Sequence, residues 1–184
     1  AAAIITLTTA GQTVPFLRRL TLLAPRRPDI GPQGLPVNRT AAAAGTTEMA
    51  TGDGYTLVVT RGGTTLVELT LDDLRSLPQR TERLPISCVE GWSADAEWTG
   101  VAIADVLTAA GLAPVDSIVH SAQTRGGYRS SEVSAEAARD RRCLLALQID
   151  GEPLHADHGA PLRLIGPNRP GVLQTKWVVE LEVV

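Results

Sequence analysis

A chain of 184 residues is long enough for one well-buried domain and, at a stretch, for two small ones. Apolar residues make up 43% and charged residues 20%, the balance of a soluble globular protein, and aromatics at 3% leave the core to Val, Leu, Ile and Ala. A formal net charge of −3 argues against the basic domain that bulk nucleic-acid binding requires, and no run approaches the ~20 apolar residues of a bilayer-spanning helix.

The chain opens AAAIITLTTAG with no initiator Met, an end from which an anchor or export signal could have been removed. Arg18, Arg19, Arg26, Arg27 and Arg39 make the first forty residues basic, a face for lipid headgroups, an anionic ligand or water. The piece APRRPDIGPQGLPVNRTAAAAG carries four prolines, which forbid a long helix or a central strand. Residues 1–54 are therefore expected to form an extended Pro/Gly-rich arm, with Ile30, Leu35 and Val37 as apolar anchors.

From Tyr55 the pattern becomes regular, and 55–184 is expected to be the folded domain. YTLVVT and TTLVELT flank Arg61-Gly62-Gly63 as a hairpin, and Thr70 caps a short helix, LDDLRSL. LPISCV reads as a strand and WTGVAIADVLTAAG as a helix, with Val101, Val106, Leu107 and Ala110 on one face and Gly111 as its C-terminal cap. SIVHSA, YRSSEV, CLLALQID, APLRLIG and QTKWVVELEVV read as strands, and SAEAARDR as a polar helix. The expected fold class is α+β: a mixed sheet with short helices, not a βαβ nucleotide-binding layout. GxGxxG, the P-loop and the GxSxG elbow are all absent from the sequence.

Of the two cysteines, Cys143 sits in an apolar run and reads as inert packing. Neither Cys has zinc-ligand spacing, and His155 with His158 is a weak metal pair in a Gly- and Pro-flanked loop. Cys88, in PISCVEGWSADAEWTG, lies between a short apolar run and two tryptophans.

That stretch resembles the sulfite oxidase superfamily, or oxidoreductase molybdopterin-binding domain, and within it the bacterial methionine-sulfoxide reductase catalytic-subunit branch. The resemblance rests on Cys-Val-Glu-x-Trp-Ser at Cys88–Ser93, on Trp98-Thr99-Gly100, and on LLALQIDGEPLHADHG followed by HGAPLRLIGPNRPGVLQTKWVVELEV. It covers Tyr55 to Val184. It implies a molybdopterin cofactor whose molybdenum is bound by Cys88, a soft thiolate suited to a sulfur-rich centre. It further implies that His158, Arg163 and Lys176 line the cofactor pocket, with Asn38 and Arg39 brought across it by the N-terminal arm. Arg163 would supply a planar fork of donors and Lys176 a compact charge.

The implied activity is two-electron, oxygen-atom-transfer-type oxidoreductase chemistry on a small molecule such as a sulfoxide. A separate electron-transfer partner, with a membrane subunit near the basic arm, and an extracytoplasmic or membrane-associated location follow from the same likeness. Sulfite oxidation is disfavoured: Cys88 to Ala96 contains no Arg or Lys, while Glu90, Asp95 and Glu97 carry the charge of an oxyanion. The likeness stops at Val184 with the last core strand, without the C-terminal dimerisation domain of sulfite oxidases. The alternative reading is a metal-free anion- or ligand-binding module on the same fold.

Overall fold

The computed structural model describes residues 30–88 and 92–184; Arg18, Arg19, Arg26, Arg27 and Glu90 lie outside them. The elements in chain order are α1 (Ala41–Ala44), α2 (Thr47–Thr51), β1 (Thr56–Arg61), β2 (Thr64–Thr70), α3 (Leu71–Ser76), β3 (Gln79–Ser87), β4 (Ser93–Ala102), α4 (Ile103–Ala109), β5 (Ser117–Ser121), β6 (Ser130–Val133), α5 (Ala135–Arg139), β7 (Leu144–Ile149), β8 (Glu152–Pro153), β9 (Arg163–Ile165) and β10 (Val178–Val183). They build two sheets. One runs β2-β1-β10-β5-β6, with β1 and β10 parallel; the other runs β3-β4-β7-β8, with β9 also paired to β7.

The mixed α+β layout is the expected one, and its core explains the sequence pattern. Leu57, Val59, Val119, Leu181 and Val183 of the first sheet pack against Val101, Leu145, Leu147 and Leu164 of the second, with Leu74, Val106 and Leu107 from the helices. Leu144, Ala146 and Ile149 point the other way, into a second cluster with Leu84, Ile86, Trp98 and Ile165. Strand β7 is thus covered on both faces, which is why CLLAL is an unbroken apolar run where β10 alternates. Cys143 is buried in the first cluster, and burial pushes its thiol up to about 11, so packing is its role.

The hairpin at Gly62-Gly63 forms as the sequence indicates, and both glycines take positive φ. Thr70 caps α3 in a full capping box: its hydroxyl accepts from the Asp73 N–H at 3.2 Å, and the Asp73 carboxylate accepts from the Thr70 N–H at 2.9 Å.

One expectation is corrected. The helix read over WTGVAIADVLTAAG starts only at Ile103; Trp98–Ala102 belong to β4, paired on one side with β3 and on the other with β7. Central position in a sheet outweighs the local helical spacing. Gly111 does follow the helix in the left-handed region, at φ 76°. Residues 41–44 and 47–51 are also helical, short enough to coexist with the prolines before them.

Gly100 marks where β4 and β7 approach most closely. A Cβ there would collide with the Leu145 carbonyl oxygen and come within 2.6 Å of the Ala146 Cα. Gly100→Ala is expected to cost about 3 kcal/mol or more. An unchanged urea midpoint would contradict this close approach.

Candidate active site

Strand β3 ends at Ser87, and Cys88 follows it at the closing end of the β3–β4 ribbon. The Cys88 N–H donates to the Trp92 carbonyl at 2.8 Å, so the backbone is tied while the thiol stays free. Half-buried, Cys88 lines a cavity of about 320 Å³ together with Asn38, Arg39 and Lys176. A second, narrow recess of about 10 Å³ is also lined by Cys88, Asn38 and Lys176, together with Trp92 and Arg163. The thiol therefore faces open space and is not sealed among aliphatics.

Arg163 opens β9 and is 3% exposed. Its guanidinium stacks 5.2 Å over the ring of buried Trp98, and Nη1 donates to the His158 carbonyl at 3.1 Å. Trp98 is itself fixed by donating Nε1–H to the Leu84 carbonyl at 3.1 Å. Burial pulls Arg163 down to about 10, which leaves it a cation at neutral pH. Its Nε is buried without an acceptor, and among the described residues no carboxylate pairs with it.

Lys176 precedes β10, where Trp177 at φ 52° turns the chain. Its ammonium donates to Asn38 Oδ1 at 3.0 Å, the Arg39 carbonyl at 3.0 Å and the Asp157 carbonyl at 2.7 Å, using all three protons. Burial, then the Arg163 charge, pull Lys176 down to about 6, against the opposing charges of Asp157 and Cys88. Arg39 Nη2 reaches the Arg125 and Ala43 carbonyls at 2.7 and 2.9 Å, and its Nε is buried without an acceptor. Two guanidiniums beside the thiol thus carry orphaned donors. Such donors, lining the same spaces as a soft sulfur, fit a group bearing phosphate, polar heterocycle and a sulfur-loving metal.

Residues of the N-terminal segment help to line this cavity. Besides the Lys176 contacts, Ala41 N–H donates to Asp157 Oδ1 at 2.7 Å, and Gln33 exchanges hydrogen bonds with Pro153 and His155 at 3.0 and 2.8 Å. His158 sits behind the wall. Its Nε2 donates to the Pro32 carbonyl at 2.7 Å, which fixes the neutral Nε2–H tautomer, and it lines neither the cavity nor the recess. His155 and His158 rings stand 6.4 Å apart, and no His/Cys/Asp/Glu group that could hold a metal exists among the described residues.

Asp95 and Glu97 are exposed on β4 and line neither space, so they do not screen the cavity against oxyanions as the sequence suggested. The basic side chains lining these spaces are Arg39, Lys176 and, in the recess, Arg163, each already donating to a backbone carbonyl. Sequence reasoning missed Gln123, Tyr128, Val172 and Gln174, which complete the cavity from the β5–β6 and β9–β10 loops. Tyr128 was read as part of a strand, but β6 begins at Ser130 and Tyr128 stands in the loop at φ 57°. The Gly126-Gly127 pair before it was the available signal.

The fold and the site define a molybdopterin-binding oxidoreductase domain. The sequence profile of the family described as the oxidoreductase molybdopterin binding domain matches residues 44–184, and the chain belongs to that family. It is 33% identical over 132 residues to the protein-methionine-sulfoxide reductase catalytic subunit MsrP of Xanthomonas campestris, a match covering 63% of this chain and 40% of that one. It is 33% identical over 114 residues to the putative protein-methionine-sulfoxide reductase subunit YedZ1 of Azospira oryzae, covering 62% and 43%. Against the mitochondrial sulfite oxidase of Drosophila melanogaster the figures are 30% over 148 residues, covering 66% and 26%. The chain thus spans less than half the length of these relatives. In fold it is similar to the sulfane dehydrogenase SoxCD of Paracoccus pantotrophus, with a TM-score of 0.62 at 24% identity over 70% of this chain and 38% of that one.

Two outcomes follow from the buried charges. An uncompensated buried cation burdens the protein without its cofactor, so Arg163→Met should leave cofactor-free stability unchanged or raise it by about 1–2 kcal/mol while cofactor retention falls. A large loss of stability would mean that Arg163 is structural. His158 is held down to about 4, first by burial, whereas the unfolded chain titrates near 6.5. Below pH 6.5 the unfolded state takes a proton that the folded state refuses, so stability falls as pH drops toward 4, by on the order of 2–3 kcal/mol. His158→Gln should flatten the difference between urea midpoints at pH 7 and pH 4.5; an undiminished slope would contradict the neutral ring.

Proposed function

We propose that this chain carries the active site of a molybdenum cofactor-dependent oxidoreductase, with Cys88 as the protein thiolate on the metal and a small organic oxide, a sulfoxide, as substrate. One observation carries the reading. Cys88 lines both the cavity and a narrow recess that it shares with the buried Arg163 guanidinium, which has no anionic partner among the described residues. A phosphate or ionised pterin would supply the missing counter-charge, and a bound anion would likewise favour the Lys176 ammonium.

When bound, the cofactor supplies the two-electron redox centre. The chain's own residues bind and orient it. Arg163 offers its free Nε–H. Lys176 holds Asn38 and Arg39 against the cavity while adding positive charge. His158 works from behind: its ring pins Pro32 and its carbonyl orients Arg163, so it positions the pocket without lining it. Net conversion of a sulfoxide to a sulfide and water consumes two electrons and two protons.

No electron-carrying CxxCH sequence is present in the chain, so the electrons are assigned to a separate redox partner. Two relatives are named as subunits, which supports that assignment. We place the protein outside the cytoplasm, with the partner at the membrane beside the basic arm at Arg18–Arg27. No helix among the described residues is long and apolar enough to cross a membrane itself.

Protein matured in a host that makes the cofactor should contain about one molybdenum and one pterin per chain. Cys88→Ser should remain folded yet lose at least a hundredfold in sulfoxide turnover with a reduced dye as donor. Full activity in that variant, or absence of both molybdenum and pterin from the wild type, would overturn the reading in favour of a ligand-binding module.

A further inference from the structure

The rim of the cavity carries an aromatic ring that the fold does not need. Tyr128 is 69% exposed, in the loop between β5 and β6, and it lines the cavity together with Cys88. Its backbone stands at φ 57°, a left-handed conformation that costs a bulky L-residue on the order of 1–2 kcal/mol and that glycine adopts freely. Neither packing nor burial offsets that cost, because the ring belongs to none of the hydrophobic clusters.

The loop's shape is fixed from several sides. Gln123, buried, donates from Nε2 to the Gly127 carbonyl at 2.8 Å, and Ser121 N–H donates to the Arg129 carbonyl at 2.8 Å. Arg39 holds the Arg125 carbonyl at 2.7 Å, and a Cβ on Gly126 would come within 2.6 Å of the Arg39 guanidinium, so the loop lies directly on that side chain. A strained, exposed aromatic held in place by its neighbours at the lip of an open cavity is a residue kept for something that enters the cavity. Val172 also lines the cavity and supplies a second apolar surface, while Gln123 and Gln174 supply neutral amides.

From this we infer that Tyr128 is a substrate-contacting, specificity-determining residue whose ring covers the apolar substituent of an uncharged organic sulfoxide. This rests on the reading of the cavity as a sulfoxide site and adds which part of the substrate the chain recognises. The ring face is what matters, so the phenolic hydroxyl is dispensable.

The test uses cofactor-loaded wild type, Tyr128→Phe, Tyr128→Ala and Tyr128→Gly, with methyl p-tolyl sulfone and dimethyl sulfone as unreactive probes titrated by ligand-observed NMR. The Kd for the tolyl sulfone should rise about five- to tenfold in the Ala and Gly variants and stay within twofold in Phe, with dimethyl sulfone unaffected throughout. Tyr128→Gly should unfold at or above the wild-type temperature, since it removes the backbone strain. For turnover, kcat/KM on methyl p-tolyl sulfoxide should fall by a similar factor in Ala while that on dimethyl sulfoxide holds. Equal losses for both sulfones, or none, would overturn the assignment. If wild type reduces neither sulfoxide, the proposed reaction fails, and the sulfone affinities still decide the role of Tyr128.

Discussion

A guanidinium buried to 3% exposure, with no carboxylate beside it among the described residues, is the constraint around which this molecule is arranged. Desolvating a cation costs several kcal/mol, and the Trp98 face and one backbone carbonyl return only part of that. A protein that needed only stability would place Leu or Met there, as β9 does at Leu164 and Ile165. Keeping Arg163 makes sense if a negative charge arrives from outside. Arg163 and Cys88 line the same narrow recess, which sets two anchors of different chemistry side by side.

The site is assembled from chain segments far apart in sequence. Cys88 comes from the end of the long β3–β4 ribbon, Arg163 from β9, Lys176 from the approach to β10 and Arg39 from the arm. Lys176 fastens the arm to the turn at 156–158 through three oxygens, and Arg39 fastens it to the β5–β6 loop. The cavity wall is therefore part of the tertiary structure, and its side chains are orientated before any ligand binds. That preorganisation lowers the cost of capturing a large, polar prosthetic group.

Much of this was legible in the sequence where local chemistry dictates structure. Gly62-Gly63, the Thr70 capping box and the unbroken apolar run at 143–147 each name their element directly, and the Cys88, Arg163 and Lys176 neighbourhoods carried the family likeness. What was not legible depended on partners distant in the chain. Trp98–Ala102 has helical spacing yet lies in a strand because β3 and β7 flank it. The orientation of Asp95 and Glu97 away from the cavity follows from the register of β4, not from their nearness to Cys88. His158 lies three residues from exposed His155 but is itself buried, its ring donating to the Pro32 carbonyl across 126 positions. Tyr128 was hidden because its significance is a backbone angle and an exposure, neither of which its residue type announces.

The central claim is a bond between the sulfur of Cys88 and molybdenum, and X-ray absorption at the molybdenum edge reads it without recourse to a substrate. The account predicts that cofactor-loaded wild type has one more sulfur neighbour around the metal than cofactor-loaded Cys88→Ser. Identical sulfur shells in the two proteins would contradict it.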